Sequence, residues 1–294
     1  MSRPYAEVIG DPIAHSKSPL IHNFWLAKLG TDAEYRACHV TKDGLTDYFR
    51  ERNNDDHWRG CNVTMPHKQA VVPLLDRVSP EAERIGAVNT VVMRNYYLEG
   101  HNTDGAGFME PLKELLPEDQ HVGRDPLYRI AALIGAGGAA RAIADALYHA
   151  HFTIISYSRD SEKADRAIGQ YIGDKDLVCS LTDLVWETSE ARTRQPLPAE
   201  PNRIDLFINA SPLGMVGHPP LDVHPPRLIE NEIVYDIVTH PVDTPLLQTA
   251  RKAGLRTIDG LEMLIGQAAV AFELFFGEPA PREHDAELRA LLTA

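Results

Sequence analysis

The stretch of this chain whose residue types and spacing most directly commit it to a chemistry is Ala131 to Ile143, AALIGAGGAARAI. Gly135 permits a tight turn, Gly137 lets the backbone approach a phosphate, and Ala140 is small enough for a helix to pack on the preceding strand. Gly135, Ala136, Gly137, Gly138 and Ala139 would then present free N–H groups and a positive dipole end to a dinucleotide pyrophosphate. Glycines also make ordinary turns, so a flavodoxin-like turn without ligand is the alternative.

Other polar residues have chemical potential but weaker individual signals. Ser16 and Ser18 lie two apart, so an extended backbone points both hydroxyls one way and the pair could hold a small carboxylate. Ser18 alone suits the cap of the helix that Pro19 begins. Thr64, His67 and Lys68 sit at an expected strand-to-helix corner, where side chains can converge; a solvated lysine is the ordinary alternative. Asn89 interrupts an apolar run and must find backbone or ligand partners. Asp104 stands at a helix start, where an acid is by default a cap. Gln267 lies in an apolar helix, as an exposed polar position or a ligand contact.

The elements that must position these residues alternate in type. Ile130–Ile134 reads as a strand buried on both faces, and Ala-rich helical spacing follows from Ala139. Phe152–Tyr157 is the next strand, which completes a βαβ unit. An acid ending that strand would suit the ribose hydroxyls of NAD, whereas a basic residue suits the 2′-phosphate of NADP. Ser158 stands at the strand end, Arg159 follows and Lys163 is one turn on, which favours NADP although Asp160 counts against it. Further strands are expected at Tyr5–Ile9, Tyr35–Val40, a short run after Gly60, Ile85–Val92, Ile204–Ile208 and Ile233–Val238. Helices are expected after Pro19, at Leu45–Arg52, from Pro66 to about Leu75, from Ser79, through Leu115, at Leu246–Ala253, Leu261–Phe276 and Arg282–Leu292. Leu116–Arg129 reads as an irregular connection near a domain joint, and Thr188–Arg203 as a variable surface loop.

Bulk properties narrow the classes. The chain has 294 residues, enough for about two domains. Its formal net charge of −13 argues against a nucleic-acid or anionic-membrane partner and for a soluble monomer or small oligomer. Cys38, Cys61 and Cys179 form no C-x-x-C pair, so neither a disulfide framework nor a metal site is expected. The start, Met1-Ser-Arg-Pro-Tyr-Ala-Glu7, lacks the apolar core of a signal peptide, and no later stretch is long enough to span a bilayer. A cytoplasmic location is expected.

In order, the blocks Gly10-Asp-Pro-Ile-Ala-His-Ser-Lys-Ser-Pro19, Asn62-Val-Thr-Met-Pro-His-Lys68, Gly86-Ala-Val-Asn-Thr90 and Asn102-Thr-Asp-Gly105 resemble those of the shikimate dehydrogenase family. So do Gly135-Ala-Gly-Gly-Ala139, Asn209-Ala-Ser-Pro-Leu-Gly214 and Gly260-Leu-Glu-Met-Leu264 with Gln267. The resemblance runs from Val8 to about Phe276. It implies an α/β protein of two domains, an α/β substrate-binding catalytic domain and a Rossmann-type dinucleotide-binding domain. The first would be residues 1–103 completed by helices in 261–294, the second residues 104–260. By the same resemblance Lys68 and Asp104 look like the catalytic pair, and Ser16, Ser18, Thr64, Asn89 and Gln267 the substrate ligands. Arg159 and Lys163 would hold the NADP phosphate, although the family's Asn-Arg-Thr reads Ser158-Arg-Asp160 here. Gly260 joins the glycine turn among the cofactor-binding positions. Thr239 stands where the family typically has a substrate-touching tyrosine, a departure that makes quinate or an aminoshikimate-type acid credible.

The implied reaction is reversible NADP-dependent reduction of 3-dehydroshikimate to shikimate, with NAD as a possible cofactor. Alcohol oxidation needs a base within hydrogen-bond reach of the hydroxyl. Lys68 can protonate the nascent alkoxide in reduction and must lose its proton for oxidation, which predicts faster oxidation at alkaline pH. A quinate/shikimate or aminoshikimate dehydrogenase paralogue is the near alternative. A non-catalytic nicotinamide sensor is the distant one, although a sensor need not keep both Lys68 and Asp104. A monomer or homodimer fits either.

Overall fold

The computed structural model describes residues 3–116, 129–172, 177–181, 204–221 and 233–294. Residues 117–128 of the expected connection and all of the expected 188–203 loop lie outside the described residues. The chain divides into two compact units, Met1–Gly107 with Ile265–Ala294, and Phe108–Leu264.

The first unit is built on a mixed six-stranded sheet. Strands β1 (Tyr5–Gly10), β2 (Glu34–His39) and β3 (Trp58–Val63) run parallel, while β5 (Thr90–Arg94) and β6 (Tyr97–His101) form an antiparallel hairpin beside β3. The two-residue strand β4 (Arg77–Val78) closes the order β2-β1-β3-β5-β6-β4. The period of two is visible on β1: Tyr5 and Ile9 join a core with Trp58, Val91 and Phe49 of helix α2 (Leu45–Arg52), whereas Ala6 and Val8 join Tyr35, Ala271 and Phe275. Helix α1 (Ser18–Leu29) covers the second of these faces. Its His22 ring stacks on Tyr35 with centroids 4.0 Å apart, and Trp25 meets Phe272 edge-on at 5.5 Å.

Three local expectations are corrected here. Ser18 is the first residue of α1 and not its cap, since Lys17 precedes it as the N-cap without a side-chain bond. Pro66 starts no helix to Leu75; turns lead instead to a short 3₁₀ segment at Val72–Leu74. Pro73 supplies the reason, because it has no N–H for the carbonyl of Gln69, and the carbonyl of Lys68 accepts from Val88 N (2.7 Å). Ile85 ends helix α3 (Pro80–Ile85), capped by Gly86 at φ 66°, so the strand begins only at Thr90. The β5–β6 hairpin had no glycine to announce it; Asn95 and Tyr96 take the positive φ values of 50° and 67° at its turn.

The second unit holds an all-parallel sheet: β7 (Arg129–Ile134), β8 (Phe152–Ser158), β9 (Val178–Ser180), β10 (Leu206–Asn209), β11 (Ile233–Asp236) and β12 (Arg256–Ile258). The order β12-β11-β10-β7-β8-β9 reverses direction between β7 and β10, the pattern of a doubly wound dinucleotide-binding sheet. Ala131 and Leu133 enter one core with Ile143 and Leu147, whereas Ala132 and Ile134 enter the other with Phe207 and Leu246. Both faces are therefore covered, as the unbroken apolar character of β7 requires. Asp104–Leu115 (α4) and Gly260–Phe276, two helices in the chain, contain the points at which it passes from one unit to the other.

Candidate functional site

In the first unit a polar cluster forms at the ends of β3 and β5 and the start of α4. Lys68 Nζ donates to Asp104 Oδ2 at 2.5 Å, with the two side chains 18% and 7% exposed. Residues 36 apart in sequence thus meet as an ion pair open to solvent on the lysine side. Asp104 does not serve as the simple cap its position suggests. It is the first residue of α4, and its backbone N–H donates to Asn102 Oδ1 (3.0 Å), which leaves its carboxylate for other partners.

Asn89, just outside β5, is 3% exposed and has protein partners. Its Nδ2 donates to Asp104 Oδ1 (2.8 Å) and Thr103 Oγ1 (3.0 Å), and its Oδ1 accepts from Thr103 N (2.8 Å) and the Thr90 hydroxyl (2.9 Å). Gln267 belongs to the same cluster: Thr103 Oγ1 donates to its Oε1 at 3.3 Å. Ser16 and Ser18 are joined to each other, with Ser18 N donating to Ser16 Oγ (3.3 Å), and the Ser18 side chain is turned inward. Thr64 follows β3, where its backbone N–H donates to the Ile9 carbonyl (3.0 Å). His67 is fully buried, with Nε2 2.6 Å from the Val40 carbonyl, and is a structural residue.

Thr103, Asn62 and Thr90 were not singled out by sequence, yet they are buried in this cluster. Asn102-Thr103 directly before Asp104 carried a usable signal, because three consecutive polar residues at a helix start exceed what one cap needs. Tyr35 carried none, since its link to Asn62 spans 27 positions.

The second unit assembles the other set. Gly135 follows β7 at φ 114°, and a Cβ there would lie 2.8 Å from the Ala210 carbonyl oxygen after β10. The turn therefore sits where the strand order reverses, which is where such sheets bind ligands. Helix α5 (Gly138–His149) begins behind Gly137 with no side-chain cap, so its first-turn N–H groups are left for an anion. Ala136 and Ala139 flank this start and pack partly against the core. Ser158 ends β8, and the exposed Arg159 and Lys163 follow at the start of helix α6 (Ser161–Ile168). Asp160, the residue at odds with an NADP phosphate, is occupied: its Oδ1 caps α6 by accepting from Lys163 N (2.9 Å). An uncapped helix, a close-approach glycine and two exposed bases fit a phosphorylated dinucleotide.

Thr239 lies in the loop after β11, half-buried and part of the second unit. That loop is tied down by Asp236, which is fully buried and accepts from Asn209 Nδ2 (2.9 Å), Val238 N (3.1 Å) and the Thr244 hydroxyl (2.7 Å). Burial raises the Asp236 carboxyl above its usual range, and the three donors act in the opposite direction. Gly260 packs against backbone: a Cβ would lie at 2.5 Å from the Ile237 carbonyl oxygen.

Two family models match the chain: the shikimate dehydrogenase substrate binding domain at residues 8–91 and the shikimate 5'-dehydrogenase C-terminal domain at residues 260–287. The chain is 47% identical to a shikimate dehydrogenase (NADP(+)) of Sphingopyxis alaskensis, over 99% of this chain and 97% of the relative. It is similar to the crystal structure of shikimate 5-dehydrogenase from Thermus thermophilus in complex with NADP(H) and shikimate, with TM-score 0.78, 32% identity and coverage of 98% and 99%. Quinate dehydrogenase from Corynebacterium glutamicum in complex with NAD is similar at TM-score 0.78 and 28% identity, over 98% of this chain and 99% of that one.

Proposed function

This chain belongs to the shikimate dehydrogenase family, and from that premise we propose that it catalyses the reversible, NADP-dependent reduction of 3-dehydroshikimate to shikimate. It is an oxidoreductase acting on a CH–OH group. Residues 1–103 with 261–294 bind the substrate and residues 104–260 bind NADP. The observation that carries the reading is the Lys68–Asp104 pair at 2.5 Å, braced from the protein side by Asn89.

NADPH, when bound, supplies the hydride for the carbonyl carbon. Lys68 Nζ gives a proton to the alkoxide oxygen as it forms, and in the reverse direction takes the hydroxyl proton. Asp104 holds the ammonium in place through its Oδ2, while its Oδ1 is held by Asn89. Ser16, Ser18, Thr64, Asn89, Gln267 and Thr239 hold the carboxylate and hydroxyls of the substrate. The backbone at Gly135–Ala139 takes the pyrophosphate, and Arg159 and Lys163 take the 2′-phosphate, with Ser158 and Gly260 beside the cofactor.

The test is the appearance of NADPH absorbance with shikimate and NADP, run beside quinate with NAD. Faster turnover of quinate would transfer the assignment to that relative's reaction. Lys68→Ala should lower turnover by about a thousandfold while substrate binding changes little; unchanged turnover would remove Lys68 from the chemistry.

Among the described residues no helix is long and apolar enough to cross a membrane. All three cysteines are free thiols, which suits a reducing, cytoplasmic compartment. The assembly is a monomer or a homodimer.

A further inference from the structure

We infer that Tyr35, Asn62 and Thr90 are positioning residues for the acid–base pair, acting through a one-way chain of buried hydrogen bonds that runs from Tyr35 to Asn89 and Asp104. The inference rests on the reading of Lys68 and Asp104 as the proton-transferring pair.

Groups without a choice of role set the direction of the chain. The Asn89 backbone carbonyl can only accept, and it does so from Asn62 Nδ2 (3.3 Å). That contact fixes the Asn62 amide with Oδ1 toward Tyr35, whose hydroxyl donates to it at 2.6 Å. Asn62 Nδ2 also donates to Thr90 Oγ1 (3.0 Å), so the single Thr90 hydrogen is left for Asn89 Oδ1 (2.9 Å). The Thr103 N–H, a donor only, meets the same Asn89 oxygen at 2.8 Å. Asn89 is thereby held with Nδ2 on Asp104 Oδ1 (2.8 Å), which leaves Oδ2 for Lys68.

The chain begins at the Tyr35 phenol. Burial pushes that phenol well above its usual range, so it stays protonated and remains a donor. Tyr35 is 1% exposed, Asn62 6% and Thr90 0%, so water does not compete for these bonds. The chain thus couples the buried Tyr35 hydroxyl to the orientation of the Asp104 carboxylate. None of Tyr35, Asn62 and Thr90 needs to touch a ligand to do so. Loss of the Thr90 hydroxyl takes a donor from Asn89 and an acceptor from Asn62. The carboxylate can then turn from Lys68, and proton delivery slows.

The test is single-turnover reduction of 3-dehydroshikimate with each enzyme in excess over NADPH. Every NADPH is then held by a folded molecule, so unfolded protein leaves the rate constant unchanged. Thr90→Val should slow this rate constant about tenfold, Thr90→Ser should restore most of it, and Tyr35→Phe should slow it in the same direction. A native rate constant in either folded variant, or a Thr90→Ser as slow as Thr90→Val, overturns the inference. If Thr90→Val does not fold, Tyr35→Phe decides alone, because it keeps the ring stacked on His22 and removes only the hydroxyl. Lys68→Ala in the same assay separates the two claims: a native rate constant there overturns the reading of Lys68 and not the chain itself.

Discussion

At the scale of the residue, function divides between side chains that bond to their surroundings and side chains left standing. Arg159 is exposed at the end of β8, beside an Asp160 whose carboxylate is spent on Lys163 N. Asp160 is turned to the helix start, and the role proposed for Arg159 is to meet the 2′-phosphate. Arg159→Ala should therefore raise KM for NADP about tenfold, the worth of one charge-assisted hydrogen bond, and leave KM for NAD within about twofold. Steady-state kinetics with both cofactors decide this, and equal loss with each would show that Arg159 does not read the phosphate. Thr239 is a smaller side chain on a loop pinned by Asp236 and Thr244. Thr239→Tyr should raise kcat/KM for shikimate relative to quinate if this position sets specificity. An unchanged ratio would make the threonine a neutral replacement.

At the scale of the element, the decisive feature is the turn between β7 and α5. Gly135 holds φ 114°, a value that L-residues rarely adopt, and its missing Cβ lets the backbone after β10 come within contact distance. Gly135→Ala brings both a strained dihedral and a collision with the Ala210 carbonyl, so the second unit should lose about 1–3 kcal/mol. Urea unfolding measures the loss, and NADP affinity should fall with it, since the same backbone is the proposed pyrophosphate site. An unaltered midpoint would mean that β10 can retreat. The existence of this turn was legible in sequence because strand, glycine and helix signals are all local. The β5–β6 hairpin was not, because its turn uses Asn95 and Tyr96 where a glycine would have flagged it. The absent helix after Pro66 was legible in principle, from the Pro73 that such a helix would have to contain.

At the scale of the whole molecule, a buried neutral imidazole makes stability depend on pH. His22 is fully buried in an aromatic cluster, and neither ring nitrogen has a hydrogen-bond partner among the described residues. Burial pulls its pKa from 6.5 down to about 3. The unfolded chain therefore binds a proton that the folded chain refuses. Stability from this group is full above pH 6.5 and is lost as pH falls through the window from 6.5 to about 3, at about 1.4 kcal/mol per pH unit. Chemical denaturation between about pH 7 and about pH 5 should show this slope, and His22→Phe should flatten it. An identical slope in the variant would place the acid sensitivity elsewhere.

The chain by itself determined the doubly wound sheet and its glycine turn. It also determined the separate polar blocks around Ser16, Thr64, Asn89, Asp104 and Gln267, since apolar period, turn chemistry and helix starts are properties of neighbouring residues. Only the tertiary structure decided who meets whom. Lys68 reaches Asp104 across 36 positions, and Tyr35 reaches Asn62 across 27, because parallel and antiparallel strands bring the ends of distant segments into register. Such contacts depend on strand order and depth of burial, and neither is encoded in the spacing of any single stretch.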